Sequence, residues 1–162
     1  MKDSELREMQ DYRENIYKKY LSSQYLMVNI HILQKIRDAY ERMSYCYEYW
    51  YSKFLPINKN SKILDIGCGM GHFIHFLKKK GFTNYLGIDI SPEQVEFVKK
   101  FVTDKVLLAD AFSFLKDIEN EFDMIVMNDV LEHIPKSYIV NLLILVRKAL
   151  KDNGVVFIKT VN

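Results

Sequence analysis

Ile63-Leu64-Asp65-Ile66-Gly67-Cys68-Gly69-Met70-Gly71 decides the fold of this chain. A short apolar run ends in a glycine-rich turn and passes straight into a helical pattern, so strand, turn and helix follow without a linker. In an open α/β sheet the ligand lies beyond the carboxyl ends of the strands, which puts this turn against one. Glycine lets the backbone approach a ligand with no Cβ between them. The spacing then separates ligand classes. A dinucleotide fingerprint, G-x-G-x-x-G, needs a glycine at 72, where this chain has His72. A phosphate-cradling loop needs a Lys-Ser or Lys-Thr pair that does not follow here. Instead, glycines fall at 67, 69 and 71, and an acid, Asp65, stands two residues before the first.

Downstream, short apolar runs alternate with helical patterns. Strands are expected at 62–66, 85–90, 106–109, 122–127 and 155–160, the fourth apolar throughout and so buried on both faces. Helices are expected at 70–80, ended by Gly81, at 111–118, and at 136–150. The last presents Tyr138, Ile139, Leu142, Leu143, Val146 and Leu150 inward, and Gly154 then turns the chain into the fifth strand. Another helix starts at Ser91 as N-cap, with Pro92 at N1 and Gln94 closing a capping box. Strands alternating with helices imply an α/β fold with a doubly wound parallel sheet.

Upstream the character differs. All six glycines follow residue 60, whereas nine of the eleven tyrosines lie at or before Tyr51. No glycine or proline interrupts residues 1–55. Leu26, Ile30, Leu33, Ile36 and Tyr40 recur at spacings of three and four, an amphipathic helix, and a more polar helix is expected at 4–20. Pro56 and Asn58-Lys59-Asn60-Ser61 mark a boundary loop. The division predicted is a helical cap over 1–58 and a sheet domain over 59–162.

Composition narrows the function classes. With 162 residues, 49% hydrophobic and 27% charged, and 23 basic against 21 acidic side chains for a net charge of +2, the chain is neither disordered, collagen-like nor a strongly basic nucleic-acid binder. No apolar run approaches the roughly 18 residues of a membrane span, and the charged start MKDSELREMQ does not read as a signal peptide. Cys46 and Cys68 are too few for a disulfide framework and form no metal-spaced pair, so a reduced cytoplasmic setting is expected.

With these residues in view, the chain resembles the class I S-adenosylmethionine-dependent methyltransferases, whose first motif is an acid followed by G-x-G-x-G. Asp89 ends the second strand, where the family holds the two ribose hydroxyls with an acid. Asp110 follows the third, where the family's acid accepts from the adenine amino group. Residues 122–134 (FDMIVMNDVLEHI) look like the fourth motif, which lines the methionine end. Four motifs in order, over about residues 60–162, carry the resemblance and imply a Rossmann-like domain that binds S-adenosylmethionine. The implied cofactor residues are Asp65, Gly67, Cys68, Gly69, Gly71, Asp89, Ile90, Asp110, Ala111, Asn128 and Asp129.

Each assignment also makes physical sense. S-adenosylmethionine carries a sulfonium, an ammonium and a carboxylate but no phosphate; Asp65 suits the ammonium and would repel a pyrophosphate. One carboxylate meets two vicinal hydroxyls with two charge-assisted hydrogen bonds, the work expected of Asp89. Asp110 and the Ala111 N–H match the donor and acceptor of the adenine edge. Plainer roles stand beside these: Asp65 as a turn cap, Gly71 for helix–strand packing, Asp89 as a solvated strand end, Asp110 as an N-cap. Cys68 reads as a small loop residue near the cofactor rather than a reactive thiol.

Asp129, Glu132 and His133 would share a face if a helical turn followed the fourth strand, and in some quinone-biosynthesis relatives a comparable group binds a metal. Here the first position is Asp rather than Glu, and no metal is assigned. His133 is the candidate general base. Tyr45, Tyr49 and Trp50, crowded before the boundary, are candidates for bordering the acceptor, with the N-terminal helices as a lid; core packing is the plainer role for them. The expected activity is methyl transfer to oxygen or nitrogen of a small molecule or glycan. A non-catalytic cofactor-binding module and a nicotinamide-dependent oxidoreductase are the alternatives, the latter opposed by His72 and Asp65. Class I sheets carry an antiparallel hairpin after strand five, where this sequence ends, so truncation is expected, or a homodimer through the strand-five edge or the N-terminal helices.

Overall fold

The computed structural model describes residues 31–160, so the helix expected at 4–20, Leu26, Ile30 and the final Val161-Asn162 lie outside the described residues. Helix α1 (His31–Tyr51) is followed by β1 (Ile63–Ile66), α2 (His72–Lys79), β2 (Tyr85–Asp89) and α3 (Pro92–Phe101). Then come β3 (Val106–Leu108), α4 (Ala111–Leu115), β4 (Phe122–Asn128), α5 (Lys136–Ala149) and β5 (Leu150–Lys159). The strands form one parallel sheet in the order β3-β2-β1-β4-β5. The sheet runs outward from β1 to β3, then returns to place β4 on the other side of β1. That reversal opens a crevice between the carboxyl ends of β1 and β4, where ligands bind in folds of this type.

Alternation along the central strands sorts the core into two layers. Ile63, Met124 and Val126 face Tyr47, Tyr51, Phe73, Phe76 and Val98, so α1, α2 and α3 cover one side. Leu64, Ile66, Ile125 and Met127 face Phe112, Leu142 and Val146, so α4 and α5 cover the other. The doubly wound parallel sheet is therefore as expected. On α5, Leu142, Val146 and Ala149 are buried, and Tyr138, Ile139 and Leu143 pack partly buried beside them.

Local differences have local causes. Helix α2 starts at His72 rather than Met70 because Gly71, at φ +77°, is its N-cap. Helix α4 is short, stopping at Leu115 where 118 was expected. Gly154 does not precede the last strand but lies inside it: β5 begins at Leu150, which pairs with Phe122, and pairing resumes at Val155 with Met124. Residues 151–154 thus bulge opposite Asp123 alone, and Lys151 closes the bulge with a 2.9 Å ion pair to that carboxylate. The capping box forms by half. Ser91 Oγ accepts from the Gln94 N–H, but the Ser91 N–H donates to Asp89 Oδ1 at 2.9 Å, which leaves the Gln94 side chain for other use.

β5 borders the sheet with Val155, Val156 and Ile158 about two-fifths exposed. Among the described residues no helix is long and apolar enough to cross a membrane.

Gly87 in β2 shows how tightly the sheet meets the glycine-rich turn. A Cβ there would stand 2.5 Å from Ile74 Cδ1 and 2.9 Å from Cys68 Sγ. Gly87→Ala is therefore expected to cost about 1–3 kcal/mol by overpacking, read as a lower urea midpoint at unchanged slope.

Candidate functional site

The turn after β1 is built by conformation. Gly67, Gly69 and Gly71 all have positive φ (66°, 54° and 77°), which side-chain-bearing residues adopt at a cost. At Gly67 space forbids a side chain as well, since a Cβ would meet Val130 Cγ2 at 2.6 Å; one on Gly69 would displace only the flexible Gln94 amide, 2.9 Å away. The turn is pinned to β2, since the N–H groups of Gly67 and Cys68 both donate to the Ile88 carbonyl. Asp89 Oδ2 accepts from the Gly69 N–H at 2.8 Å.

Around this turn the crevice divides into two cavities, about 270 Å³ toward β2 and β3 and about 320 Å³ beneath α1, which share Gly67, Gly69, Gln94 and Asp129. The first is bordered by Ile88, Asp89, Ile90, Ala109 and Ala111 and is more apolar in character. Asp65, Cys68, Met70, His72 and Asn128 border the second, with Met43 and Tyr47 of α1 and Phe73 closing it.

Two buried carboxylates set the electrostatics. Burial, and then the charge of Asp89, raise Asp65 well above the usual carboxylate range. Its Oδ2 is buried without a hydrogen-bond partner. A cation at that oxygen would satisfy it, which is the chemistry of the ammonium that the resemblance implies. Burial raises Asp89 too, against the pull of the Ser91, Gly69 and Ile90 N–H groups. Oδ2 accepts from the Gly69 N–H and Oδ1 from the Ser91 N–H, and the lone pairs of a carboxylate leave room for further donors, as two ribose hydroxyls require. Burial also pushes the Cys68 thiol up, so it is a packed, unreactive side chain behind Gly87.

Asp110 is the N-cap of α4, its Oδ1 accepting from the Phe112 and Ser113 N–H groups at 3.1 Å. The plainer role is thus in place. Its neighbours Ala109 and Ala111, rather than Asp110 itself, border the first cavity. The N–H of Ala111, first residue of the helix, belongs to the turn that has no intrahelical acceptor.

At the end of β4 the chain turns sharply. Asp129 has φ +56°, held by its N–H donating to the Lys159 carbonyl at 2.8 Å and by a 2.7 Å contact from Lys159 Nζ to its carboxylate. A single 3-10 turn, Leu131–His133, begins only after it. Asp129, Glu132 and His133 therefore do not share a helical face: Asp129 pairs with Lys159, Glu132 accepts from the Thr160 hydroxyl at 2.9 Å, and His133 borders the first cavity. No cluster of three metal-ligating side chains occurs among the described residues.

The tyrosines sort by helix phase. Tyr40, Ser44, Tyr47 and Tyr51 occupy the buried face of α1. Tyr45 and Tyr49, expected to border the acceptor, are 72% and 84% exposed and line neither cavity, because they lie on the opposite side of the helix. Trp50 stands between, against Tyr47, Tyr51 and the Lys159 ammonium. Tyr40 donates to the Met70 carbonyl and stacks 4.6 Å from His72, which anchors α1 to the glycine turn. Tyr51 donates to Asn128 Oδ1, which anchors it to β4. Met43, Tyr47 and Tyr51, with His72 and Gln94, are not announced by the motifs; all but Tyr51 line a cavity, and Tyr51 meets Asn128 beside one. Carrying the spacing of Ile36 and Tyr40 forward by three and four residues reaches the first three.

A methyltransferase-domain model matches residues 34–162. The chain is 33% identical over 140 residues to the ubiquinone biosynthesis O-methyltransferase of Bartonella quintana, a match spanning 82% of this chain and 55% of that one. It is 32% identical over 121 residues to the (S)-coclaurine N-methyltransferase of Papaver somniferum, 68% of this chain and 32% of that one. The chain thus spans about half, or less, of the length of these relatives. Its fold is also that of a SAM dependent methyltransferase from Archaeoglobus fulgidus, with a TM-score of 0.63 at 24% identity over 79% of this chain and 57% of the other. Asp65 and Asp89 are buried carboxylates beside the glycine turn. Sequence match, strand order and cleft chemistry agree that the chain belongs to the class I S-adenosylmethionine-dependent methyltransferase family.

Proposed function

We propose that the protein transfers the methyl group of S-adenosylmethionine to a hydroxyl or amine of a small molecule or glycan that is neutral or cationic, seated beneath α1. The character of the cleft carries this reading. Asp65, Asp89 and Asp129 face it, and among the described residues lining its two cavities none is lysine or arginine. A nucleic acid or another phosphate-rich acceptor meets no cation there. Met43, Tyr47 and Phe73 offer an apolar and aromatic wall for the body of an acceptor.

When bound, S-adenosylmethionine supplies an electrophilic methyl. The chain's own work is to hold its ligands. Asp89 takes the ribose, the Ala111 N–H the adenine edge, and Asp65 the ammonium, while α1 excludes water from the second cavity and acts as its lid. Holding nucleophile and methyl in line about 3 Å apart supplies much of the acceleration. For an acceptor hydroxyl that reaches past Asp129 into the first cavity, His133 there takes the proton. His133→Ala is then expected to lower turnover by roughly 10²–10⁴-fold while the dissociation constant for S-adenosylhomocysteine stays the same. Unchanged turnover would leave alignment as the whole of the catalysis.

The decisive experiment incubates the protein with methyl-labelled S-adenosylmethionine and pooled metabolite and glycan extracts, and follows the label by mass spectrometry. A labelled low-mass or glycan product is expected. Label taken up only by nucleic acid in a parallel incubation would overturn the acceptor class, and cofactor binding without transfer to any acceptor would favour a non-catalytic module.

A further inference from the structure

We infer that Tyr51 is a positioning residue for the amino-acid end of the cofactor, acting through the side-chain amide of Asn128. The inference rests on the S-adenosylmethionine reading of the cleft. Tyr51 is the last residue of α1 and 3% exposed, and its hydroxyl donates to Asn128 Oδ1. A phenol hydroxyl can donate or accept, and here it donates to Oδ1 and holds the amide by its oxygen end. With Oδ1 engaged, Nδ2 is the free end, and it is buried without a hydrogen-bond partner. Burial pushes the Tyr51 phenol up to about 12, so it remains a donor across the physiological range.

A second orphan lies on the neighbouring strand. Asp65 Oδ2 is also buried without a partner, and Asp65 pairs in register with Val126, two residues before Asn128. Both side chains border the cavity beneath α1. Two side chains that border the cavity thus each keep an unpaired polar atom beside it, an acceptor on Asp65 and a donor on Asn128. The amino-acid end of S-adenosylmethionine presents the complement, an ammonium and a carboxylate. With the amide turned over, Asn128 would show the carboxylate an oxygen instead of an N–H. Tyr51, by donating to Oδ1, supports the orientation that suits the carboxylate, from a helix outside the motif-bearing strands, and the seating of α1 and the binding of the cofactor tail become interdependent.

Calorimetry with two ligands tests this. S-adenosylhomocysteine carries the amino-acid end, and 5′-methylthioadenosine lacks it. Tyr51→Phe is expected to weaken S-adenosylhomocysteine about tenfold and 5′-methylthioadenosine less than twofold. Adding Tyr51→Phe to Asn128→Ala is expected to produce no further loss, since both act at one amide. Equal weakening of the two ligands, no weakening of either, or additive losses would overturn the inference. If Tyr51→Phe does not fold, NMR of the unaltered protein serves. The Tyr51 hydroxyl and Asn128 amide protons should shift with S-adenosylhomocysteine and hold still with 5′-methylthioadenosine. Movement with both or with neither counts against the assignment. An unaltered protein that binds neither ligand would overturn the cofactor reading itself, and this one with it.

Discussion

Replacing Asp89 with alanine is expected to weaken S-adenosylmethionine binding by at least about a hundredfold. Two charge-assisted hydrogen bonds to the ribose hydroxyls, at roughly 1.5–3 kcal/mol each, would disappear together. The same carboxylate also tethers the glycine turn at the Gly69 N–H and the start of α3 at the Ser91 N–H, 2.8 and 2.9 Å away. Losing it leaves two backbone donors without their acceptor at the point where the ligand must pass closest to the chain. Asp89→Asn separates the two effects, since the amide retains one acceptor for the tether while the charge is gone. It is expected to fall between the unaltered protein and Asp89→Ala. Calorimetric titration with S-adenosylhomocysteine reads all three, and near-native affinity for Asp89→Ala would remove the ribose role.

Asp65→Asn is expected to move stability and affinity in opposite directions. In the ligand-free protein Asp65 is a buried acid with an unsatisfied oxygen next to a second buried acid, a destabilising arrangement. Removing its charge should raise stability by about 1 kcal/mol or more, while weakening cofactor binding about ten- to a hundredfold through loss of the ammonium's partner. The stability gain has a definite pH dependence. The folded protein keeps the Asp65 proton above the pH at which an unfolded chain has released it, so the folded state binds more protons in that window. Stability of the unaltered protein therefore falls as pH rises from about 4 through the raised value, and Asp65→Asn escapes that fall. Melting temperatures at pH 5 and pH 8 should differ more between the two proteins at pH 8. A lower melting temperature for Asp65→Asn at both pH values would contradict this account.

Much of the fold was legible because its signals are local. A strand running into Gly67-Cys68-Gly69-Met70-Gly71, or Ser91-Pro92 opening a helix, is decided within a few residues, and the structure has both. The parts that escaped depend on what lies across space. Gln94 satisfies the sequence rule for a capping box, yet Asp89 occupies the Ser91 N–H and the glutamine turns to the cleft. Asp129, Glu132 and His133 have helical spacing, but the contacts of Asp129 with Lys159, 30 residues on, hold Asp129 out of any helix. Crowding points to Tyr45 and Tyr49, whereas the 3.6-residue period runs through Ile36 and Tyr40 to Tyr47 and Tyr51. Composition points to this helix, and periodicity picks out the face that meets the cavity.

The anchoring of α1 also bears on how the chain assembles. Tyr51 and its partner Asn128 are 77 residues apart, and Tyr40 meets Met70 at a separation of 30. At roughly 5–20 residues per second of synthesis, Asn128 follows Tyr51 by about 4–15 s. For that interval the buried face of α1 precedes the strand that completes its seat, while the glycine turn and β2 can close on one another from near neighbours. The helix that roofs the cleft is thus made before its partners but can be seated only after them. Its amide protons should be the first of the core helices to exchange, ahead of those in β1 and β4.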